Sequence, residues 1–275
     1  MELNEIQENM FEIASYFDGF CDKNKLDYMI CGGTLLGSVR HADFIPWDDD
    51  FDVLMPREDF NKLLLMWKEN DKYSLITTED KEYYKVGTPA KIYIKNTRVS
   101  EVGEVNDGMP EFNPYGIFID IFPADKYPDT ILGRVINKYW GKILLCKQFS
   151  MFPMKSRKLH FRLLLLPFKI VPSFLLKIIT KKIINYFNKN KVNYKLGYGI
   201  DTTFDNLWLD DKKLFPSEKK YNIKNRLFNG PIDYDLYLSS RFGDYMIMPP
   251  KEKQAQHIIK VSKIIYENEN VIKDR

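Results

Sequence analysis

Four aspartates lie within five consecutive positions of the stretch WDDDFD: Asp48, Asp49, Asp50 and Asp52. Crowded like charges lower the stability of a fold unless a cation or ligand offsets their repulsion. In a strand, residues two apart share one face, so Asp50 and Asp52 are predicted to point the same way, and Asp48 joins them if the strand begins early. Paired carboxylates suit Mg²⁺, which completes its shell with phosphate oxygens and water. The alternative is a solvated acidic loop after Pro46.

Another aspartate, Asp120, interrupts the apolar stretch GIFIDIFPAD. A buried, unpaired carboxylate is costly unless its pKa rises until it is neutral. One ion shared with Asp50 and Asp52 would neutralise all three carboxylates, provided that their strands are neighbours. The alternative is a salt bridge between Asp120 and a basic side chain.

A glycine pair, Gly32 and Gly33, separates a predicted strand, LDYMI, from a predicted helix that Thr34 could cap. Glycines let the backbone approach a ligand closely, and free N–H groups at a helix start bind phosphate oxygens. Such a pair alone is weak evidence, since most are only turns. Followed by D-x-D on the next strand and an aspartate on a later strand, it becomes a more specific pattern.

The elements that must position these side chains are helices interspersed with strands. The apolar spacing predicts an amphipathic N-terminal helix, and the later segments predict a central strand and a long helical block with breaks at prolines. The predicted elements are a helix at 3–22, a strand at 50–56, a helix at 57–70, a hairpin at 91–100 turning at Asn96, a strand at 116–125, helices over 131–190 broken at Pro153, Pro167 and Pro172, and a last helix near 251–266.

The net charge of +3 is unevenly distributed along the chain. Between Lys126 and Lys195 there are sixteen basic residues and one acidic residue, Asp129, so this block carries +15 and the remainder −12. Such asymmetry indicates an anionic partner. Within the block, 155–187 interleaves basic with apolar residues, which favours an anionic membrane surface over a bilayer span. The alternative is ordinary packed helices with solvated lysines. Nucleic acid is not expected as a partner, because the acidic remainder would repel its phosphates.

The cysteines Cys21, Cys31 and Cys146 are far apart, which indicates neither a zinc site nor a disulfide framework. The acidic N-terminal stretch lacks the features of a secretory signal. These observations predict a cytoplasmic protein that could lie peripherally on the inner face of the cell membrane.

Four stretches together resemble the LicD family, which includes bacterial phosphorylcholine transferases and is related to the fukutin-related polyol-phosphate transferases. They are GGTLLGSVRHADFIPWDDDFDV (32–53), KIYIKNTRV (91–99), GIFIDIFPAD (116–125), and RFGDYMIMPP with His257 following. The resemblance implies an α/β (α+β) fold, with a nucleotidyltransferase-like mixed sheet flanked by helices. We therefore predict a catalytic core at 1–125, a basic helical insertion at 126–195, and a C-terminal part of the core with a closing helix at 196–275.

The resemblance also implies an activity. Phosphocholine, or a related phospho-alcohol, would pass from CDP-choline or another CDP-alcohol donor to a hydroxyl of a cell-surface glycan, releasing CMP. The glycan could belong to lipopolysaccharide, capsule or teichoic acid, and a membrane lipid could carry it. The cofactor would be Mg²⁺ or Mn²⁺. Two alternatives stay open: nucleotidyl transfer to a sugar or small molecule, and a nucleotide-binding protein without turnover.

The same resemblance assigns roles to the acidic residues. Asp50 and Asp52 are the expected metal ligands, and Asp48 is a further candidate ligand. Asp120 is expected to be either another ligand or the base that accepts the proton of the sugar hydroxyl.

Donor phosphates would be held by Gly32, Gly33 and Thr34. Arg40 and Lys91 are candidate phosphate partners, although a structural salt bridge would explain either equally well.

Four other side chains have weaker indications. His41 is expected to be structural, whereas His257, placed in the predicted last helix, could contact phosphate or lie on the surface. Trp47 and Trp208 could stack on cytosine or enclose a choline-like cation. Core packing is the alternative for both tryptophans.

Overall fold

A six-stranded mixed sheet forms the centre of the computed structural model. The structure describes residues 1–81, 87–101, 107–189, 193–204, 207–254 and 256–263. The sheet has the strand order β1-β2-β6-β4-β3, and β7 also pairs with β6. Its strands are β1 (Met29–Ile30), β2 (Asp52–Pro56), β3 (Tyr73–Thr77), β4 (Ala90–Ile94), β6 (Phe118–Pro128) and β7 (Tyr194–Tyr198).

The long strand β6 is central, as its apolar sequence predicts. It pairs in parallel with β2 and antiparallel with both β4 and β7. Most of its side chains are buried, because neighbouring elements cover both faces. The predicted mixed α/β architecture is therefore confirmed.

The helices pack around this sheet. In α1 (Leu3–Asn24), Met10, Ile13, Ala14 and Phe17 are fully buried at helical spacing, which confirms the predicted amphipathic helix. The other helices are α2 (Gly32–His41), α3 (Arg57–Met66), α4 (Ile131–Ser150), α5 (Leu159–Leu164), α6 (Leu166–Ile170), α7 (Ser173–Asn188) and α8 (Tyr234–Phe242).

Helices α4 to α7 occupy the region predicted to be helical. The chain leaves helical structure around Pro153 and Pro172, whereas Pro167 lies in the first turn of α6, where its missing N–H costs no hydrogen bond. Within the described ranges, no single helix is long and apolar enough to cross a bilayer. The bent pair Leu159–Ile170 and Ser173–Asn188, at 81°, meets the length and composition criteria only when taken together.

A buried ion network joins the helical region to the sheet. The guanidinium group of Arg57 donates to Asp125 at 2.8 and 2.6 Å and to Asp201 at 3.0 and 2.6 Å. Asp125, fully buried on β6, also accepts a hydrogen bond from Asn188 of α7 at 2.6 Å and one from the backbone N–H of Ile200 at 2.8 Å. The carboxylate of Asp125 therefore ties α3, β6 and α7 to one point.

The closing helix predicted near 251–266 is wrong over the described residues up to 263, and its last three residues lie outside the described ranges. A 3₁₀ turn spans Lys251–Lys253, and Ile258–Lys263 forms a strand, β10, antiparallel to β5 (Thr97–Glu101). The sequence IIKVSK is rich in β-branched residues, and the exposed edge of β5 supplies the partner that a strand requires. This pairing also makes the hairpin prediction wrong, because β4 and β5 both form but do not pair with each other.

Further elements differ from the predictions. The strand predicted at 50–56 begins at Asp52, so Asp50 lies before β2 and does not share a strand face with Asp52 as predicted, and the strand predicted at 116–125 spans Phe118–Pro128. Helix α3 ends at Met66 instead of residue 70, and α8 was not predicted. Before α8, the strands β8 (Lys219–Ile223) and β9 (Arg226–Gly230) form a separate hairpin.

Candidate active site

The sheet brings Asp52, Asp120 and Lys91 together. Asp52 begins β2 and is the register partner of Asp120 on the parallel strand β6, and Lys91 on β4 is the antiparallel partner of Asp120. Side chains of register partners project from the same face of a sheet. The two acidic strands are therefore neighbours, as the shared-ion hypothesis requires.

The glycine pair lies directly against two of the carboxylates. A Cβ atom at Gly32 would lie 2.7 Å from Oδ2 of Asp52, and one at Gly33 would lie 2.5 Å from Oδ2 of Asp48. Gly32 also has a φ of +55°, a conformation that favours glycine. A side chain at either position would displace an acidic group.

Thr34 and the Gly32 N–H have partners within the protein. Helix α2 begins at Gly32, so the predicted cap at Thr34 is wrong. The Thr34 hydroxyl instead accepts a hydrogen bond from the backbone N–H of Asp52 at 2.7 Å, which fixes the start of β2. The Gly32 N–H donates to the hydroxyl of Tyr237 at 2.9 Å.

These elements surround a cavity of about 480 Å³. Seven of the residues predicted to form the site line it: Gly32, Gly33, Asp48, Asp50, Asp52, Lys91 and Asp120. Glu101 brings the number of carboxylates that line the cavity to five. Three basic side chains, Lys91, Arg241 and His257, line it as well.

Two of the carboxylates, Asp48 and Asp52, have raised pKa values. Burial, followed by the charges of Asp50 and Asp120, raises the pKa of Asp52 well above its usual range. Burial and the charges of Asp50 and Asp49 raise the pKa of Asp48 to about 7. A divalent cation would relieve this repulsion, and carboxylate oxygens are the ligands that Mg²⁺ and Mn²⁺ prefer. The residues present therefore fit such an ion.

The most compact group of candidate ligands includes a histidine. One ligand atom from each of Asp48, Asp49, Asp50 and His257 lies within 4.8 Å of the others. Asp52 lines the same cavity as Asp48, Asp50 and His257.

Asp49 differs from its neighbours because it binds the backbone at the start of β10. Its fully buried carboxylate accepts hydrogen bonds from the backbone N–H groups of His257 at 2.9 Å and Ile258 at 2.6 Å. This contact brings Nδ1 of His257 to 2.6 Å from Oδ2 of Asp50. Hydrogen bonds to the two carboxylates raise the pKa of His257 to about 11. His257 therefore carries a positive charge at the start of β10.

Lys91 pairs with Asp120 inside the sheet. The ammonium group contacts the carboxylate and lies 3.4 Å from the ring centroid of Phe118 and 5.1 Å from that of Tyr115. Only 2% of Lys91 is exposed. The salt bridge considered as the alternative for Asp120 is present, and a metal contact of Asp120 stays a prediction.

Arg40 is not among the described residues that line the cavity. Its guanidinium group donates to Nε2 of His41 and to the carbonyl of Tyr245, both at 3.0 Å. The structural interpretation of His41 agrees with this contact. Trp47 packs against the main core, and Trp208 packs against the smaller core around Tyr127, so both tryptophans adopt the core-packing alternative.

Arg241 is the main cavity residue that the sequence interpretation missed. Its Nε atom is buried without a hydrogen-bond partner among the described residues, and its guanidinium carbon lies 5.1 Å from the ring centroid of Tyr198 and 5.4 Å from that of Phe204. Phe204 and Phe242 also line the cavity. Arg241 is the first residue of the motif RFGD, which is part of the family resemblance. Because α8 was not predicted, there was no reason from the sequence to place this arginine near the aspartates.

Comparison with known proteins gives relatives for most of the chain. The lipopolysaccharide cholinephosphotransferase LicD of Haemophilus influenzae is 28% identical over 278 residues, covering 96% of this chain and 99% of that protein. The uncharacterized protein RP689 of Rickettsia prowazekii is 30% identical over 134 residues, covering 44% of this chain and 50% of that protein. The human ribitol 5-phosphate transferase FKRP is 44% identical over 48 residues, only 18% of this chain and 10% of that protein.

Residues 25–169, more than half of the chain, match the family described as LicD/FKTN/FKRP, nucleotidyltransferase domain. The match includes the glycine pair, the aspartates of the WDDDFD stretch, Lys91 and Asp120. The chain therefore belongs to the LicD family.

Proposed function

We propose that this protein transfers phosphocholine, or a related phospho-alcohol, from a CDP-linked donor to a hydroxyl of a cell-surface glycan and releases CMP. The observation that carries the proposal is the cavity in which five carboxylates face a glycine pair and three basic side chains. An acidic site of this kind suits a divalent cation together with a diphosphate.

The protein side chains have distinct roles in the proposed reaction. Asp50 and Asp52, with Asp48 beside them, would hold Mg²⁺ or Mn²⁺, and the bound ion would neutralise charge on the diphosphate. Lys91 and Arg241 would contact phosphate oxygens. Arg241 is the stronger candidate of the two, because its buried Nε atom has no partner among the described residues.

The transfer itself forms one bond and breaks another. The glycan hydroxyl oxygen attacks the phosphorus that bears the alcohol, the bond between that phosphorus and the oxygen bridging to CMP breaks, and CMP leaves with the electron pair. Positioning and electrostatic stabilisation provide most of the catalysis in such displacements. Asp120 is the proposed acceptor of the hydroxyl proton, with a role as metal ligand as the alternative.

The comparisons support phospho-alcohol transfer in general. One relative is named a cholinephosphotransferase and another a ribitol 5-phosphate transferase. The CDP-linked donor, the metal, the alcohol and the glycan acceptor belong to our proposal.

A donor screen tests the proposal. The purified protein would be incubated with CDP-choline, CDP-ethanolamine, CDP-glycerol or CDP-ribitol, with Mg²⁺ or Mn²⁺ and candidate glycans, and CMP would be measured. We expect CMP release with at least one donor, and loss of about 10²–10³-fold in rate for Asp50→Asn and Asp52→Asn, the range typical of removing one electrostatic stabiliser. Pyrophosphate release from a nucleoside triphosphate would instead support nucleotidyl transfer. Binding of a donor, seen as a rise in melting temperature, without any product would refute the proposed turnover.

A further inference from the structure

Helix α7 presents an apolar face away from the protein. Phe174, Ile178, Lys182 and Tyr186 follow one another at intervals of four residues, so they lie along one side of the helix. Phe174 is 66% exposed and Tyr186 74% exposed. The opposite side of α7, which includes Leu176, Thr180 and Phe187, is buried. The exposed apolar face is therefore additional to the face that packs on the fold.

Helices α5 and α6, which precede α7 in the chain, also expose apolar side chains. Leu159, Leu163, Leu166 and Ile170 are all exposed, Ile170 by 83%. The three leucines line a groove of about 480 Å³, which Arg162 and Lys169 also line. We call the exposed side chains of residues 158–186 the α5–α7 surface. Soluble proteins rarely expose large contiguous apolar patches unless something binds there.

The charge of the α5–α7 surface is entirely basic, because residues 155–187 contain no Asp or Glu. Two of its basic residues, Lys177 and Lys181, pair with Glu79 from elsewhere in the fold, and Arg157, just before this surface, pairs with Asp107. Within the described ranges, no ion pair involves Lys158, Arg162, Lys169 or Lys182. These four cations, next to exposed Leu, Ile and Phe, are available to an anionic partner.

We propose that the α5–α7 surface docks on an anionic phospholipid bilayer, with its apolar side chains at the acyl boundary and its Lys and Arg side chains on headgroup phosphates. A basic amphipathic surface binds membranes in this way. A symmetric contact with the same surface of a second copy would place positive charge against positive charge, and a nucleic acid would leave the leucines in water. The inference goes beyond the proposed function and does not depend on it.

Vesicle flotation with the full-length protein tests the proposal. The vesicles would be phosphatidylcholine alone or phosphatidylcholine with about 30% phosphatidylglycerol, a content that gives a negative surface potential. We expect binding to the anionic vesicles only, weakened by added salt and reversed by alkaline carbonate. Binding that resists carbonate would indicate a bilayer span, and preferential binding to nucleic acid would indicate the other anionic partner. Either result would overturn the proposal, as would equal binding to both vesicles.

Two sets of variants separate the contributions of charge and apolar contact. The triple variant Lys158→Gln, Arg162→Gln, Lys169→Gln should reduce the partition coefficient on the order of 100-fold, since each basic residue near an anionic surface contributes roughly fivefold. The double variant Ile170→Ser, Phe174→Ser should reduce it by at least about tenfold, because two exposed apolar side chains no longer insert. Unchanged binding in either variant, with an unchanged melting temperature, would overturn the proposal.

Matched controls lie elsewhere on the exposed surface. They are the triple variant Lys212→Gln, Lys219→Gln, Lys220→Gln and the double variant Leu65→Ser, Leu227→Ser. Both should bind the anionic vesicles as the unmodified protein does. Equal losses in controls and test variants would mean that net charge or general hydrophobicity drives the binding, and would also overturn the proposal.

Discussion

Replacing Asp49 with asparagine should destabilise the fold by about 3 kcal/mol, because a hydrogen bond to a charged group contributes about 1.5–3 kcal/mol and a buried donor left unpaired adds a further penalty. The carboxylate of Asp49 accepts hydrogen bonds from the N–H groups of His257 and Ile258 and is fully buried, so solvent does not screen these contacts. An asparagine keeps one acceptor oxygen but turns an NH₂ group towards another donor. In a protein of this size the melting temperature should fall by roughly 6–12 °C.

The assay compares Asp49→Asn with its neighbour Asp50→Asn. Thermal unfolding gives the stability, CMP release gives the activity, and amide hydrogen exchange at 258–263 reports on β10. Asp50→Asn should melt close to the unmodified protein yet lose turnover, whereas Asp49→Asn should melt early and exchange faster in β10. If Asp49→Asn keeps its melting temperature and loses only activity, Asp49 is a ligand and our interpretation of it is wrong.

Three other substitutions have expected outcomes. Arg241→Gln should raise the KM for the CDP-alcohol about 10–100-fold with a smaller change in kcat, since one charge-assisted contact to phosphate is lost. Steady-state measurement of CMP release gives both constants. An unchanged KM would mean that Arg241 does not belong to the donor site. Gly33→Ala should reduce the rise in melting temperature that Mg²⁺ or Mn²⁺ causes, because the new Cβ would lie 2.5 Å from Asp48 Oδ2. The same rise in the variant and the unmodified protein would show that this carboxylate can move freely. Arg57→Met should cost about 3–5 kcal/mol in urea unfolding, because Asp125 would remain buried without its partner. Lys62→Met, which breaks a surface pair with Asp59, should leave the free energy of unfolding nearly unchanged, because solvent screens that pair. Similar costs for the two variants would contradict the network role of Arg57.

The acidic part of the site could be predicted because its signal is local in the sequence. Asp52 and Asp120 each lie in a predominantly apolar strand, and the spacing within each strand determines which face a side chain occupies. That the two strands are neighbours was an inference from the shared-ion hypothesis, and the parallel register of β2 and β6 confirms it. Lys91 was suggested only by the family resemblance, and its pairing with Asp120 follows from the order of strands in the sheet.

The remainder depends on contacts between distant segments. Nothing local distinguishes Asp49 from Asp50, because their different roles arise from the N–H groups of residues 257 and 258. The segment 258–263 has apolar residues compatible with a helix or a strand, and only the free edge of β5 decides for a strand. Arg241 was missed because α8, the helix that carries it, was not predicted. Without that helix, the sequence did not place Arg241 near the aspartates.

The contact between Asp49 and Ile258 joins residues 209 positions apart. During synthesis, the ribosome would release the glycine pair and all the acidic strands long before it released His257. In a nascent chain, the carboxylates would therefore lack the imidazolium group of His257. His257 would line the cavity only after residue 258 had left the exit tunnel. In this family member, the proposed turnover should therefore require synthesis of the chain through β10, whose first residue binds Asp49.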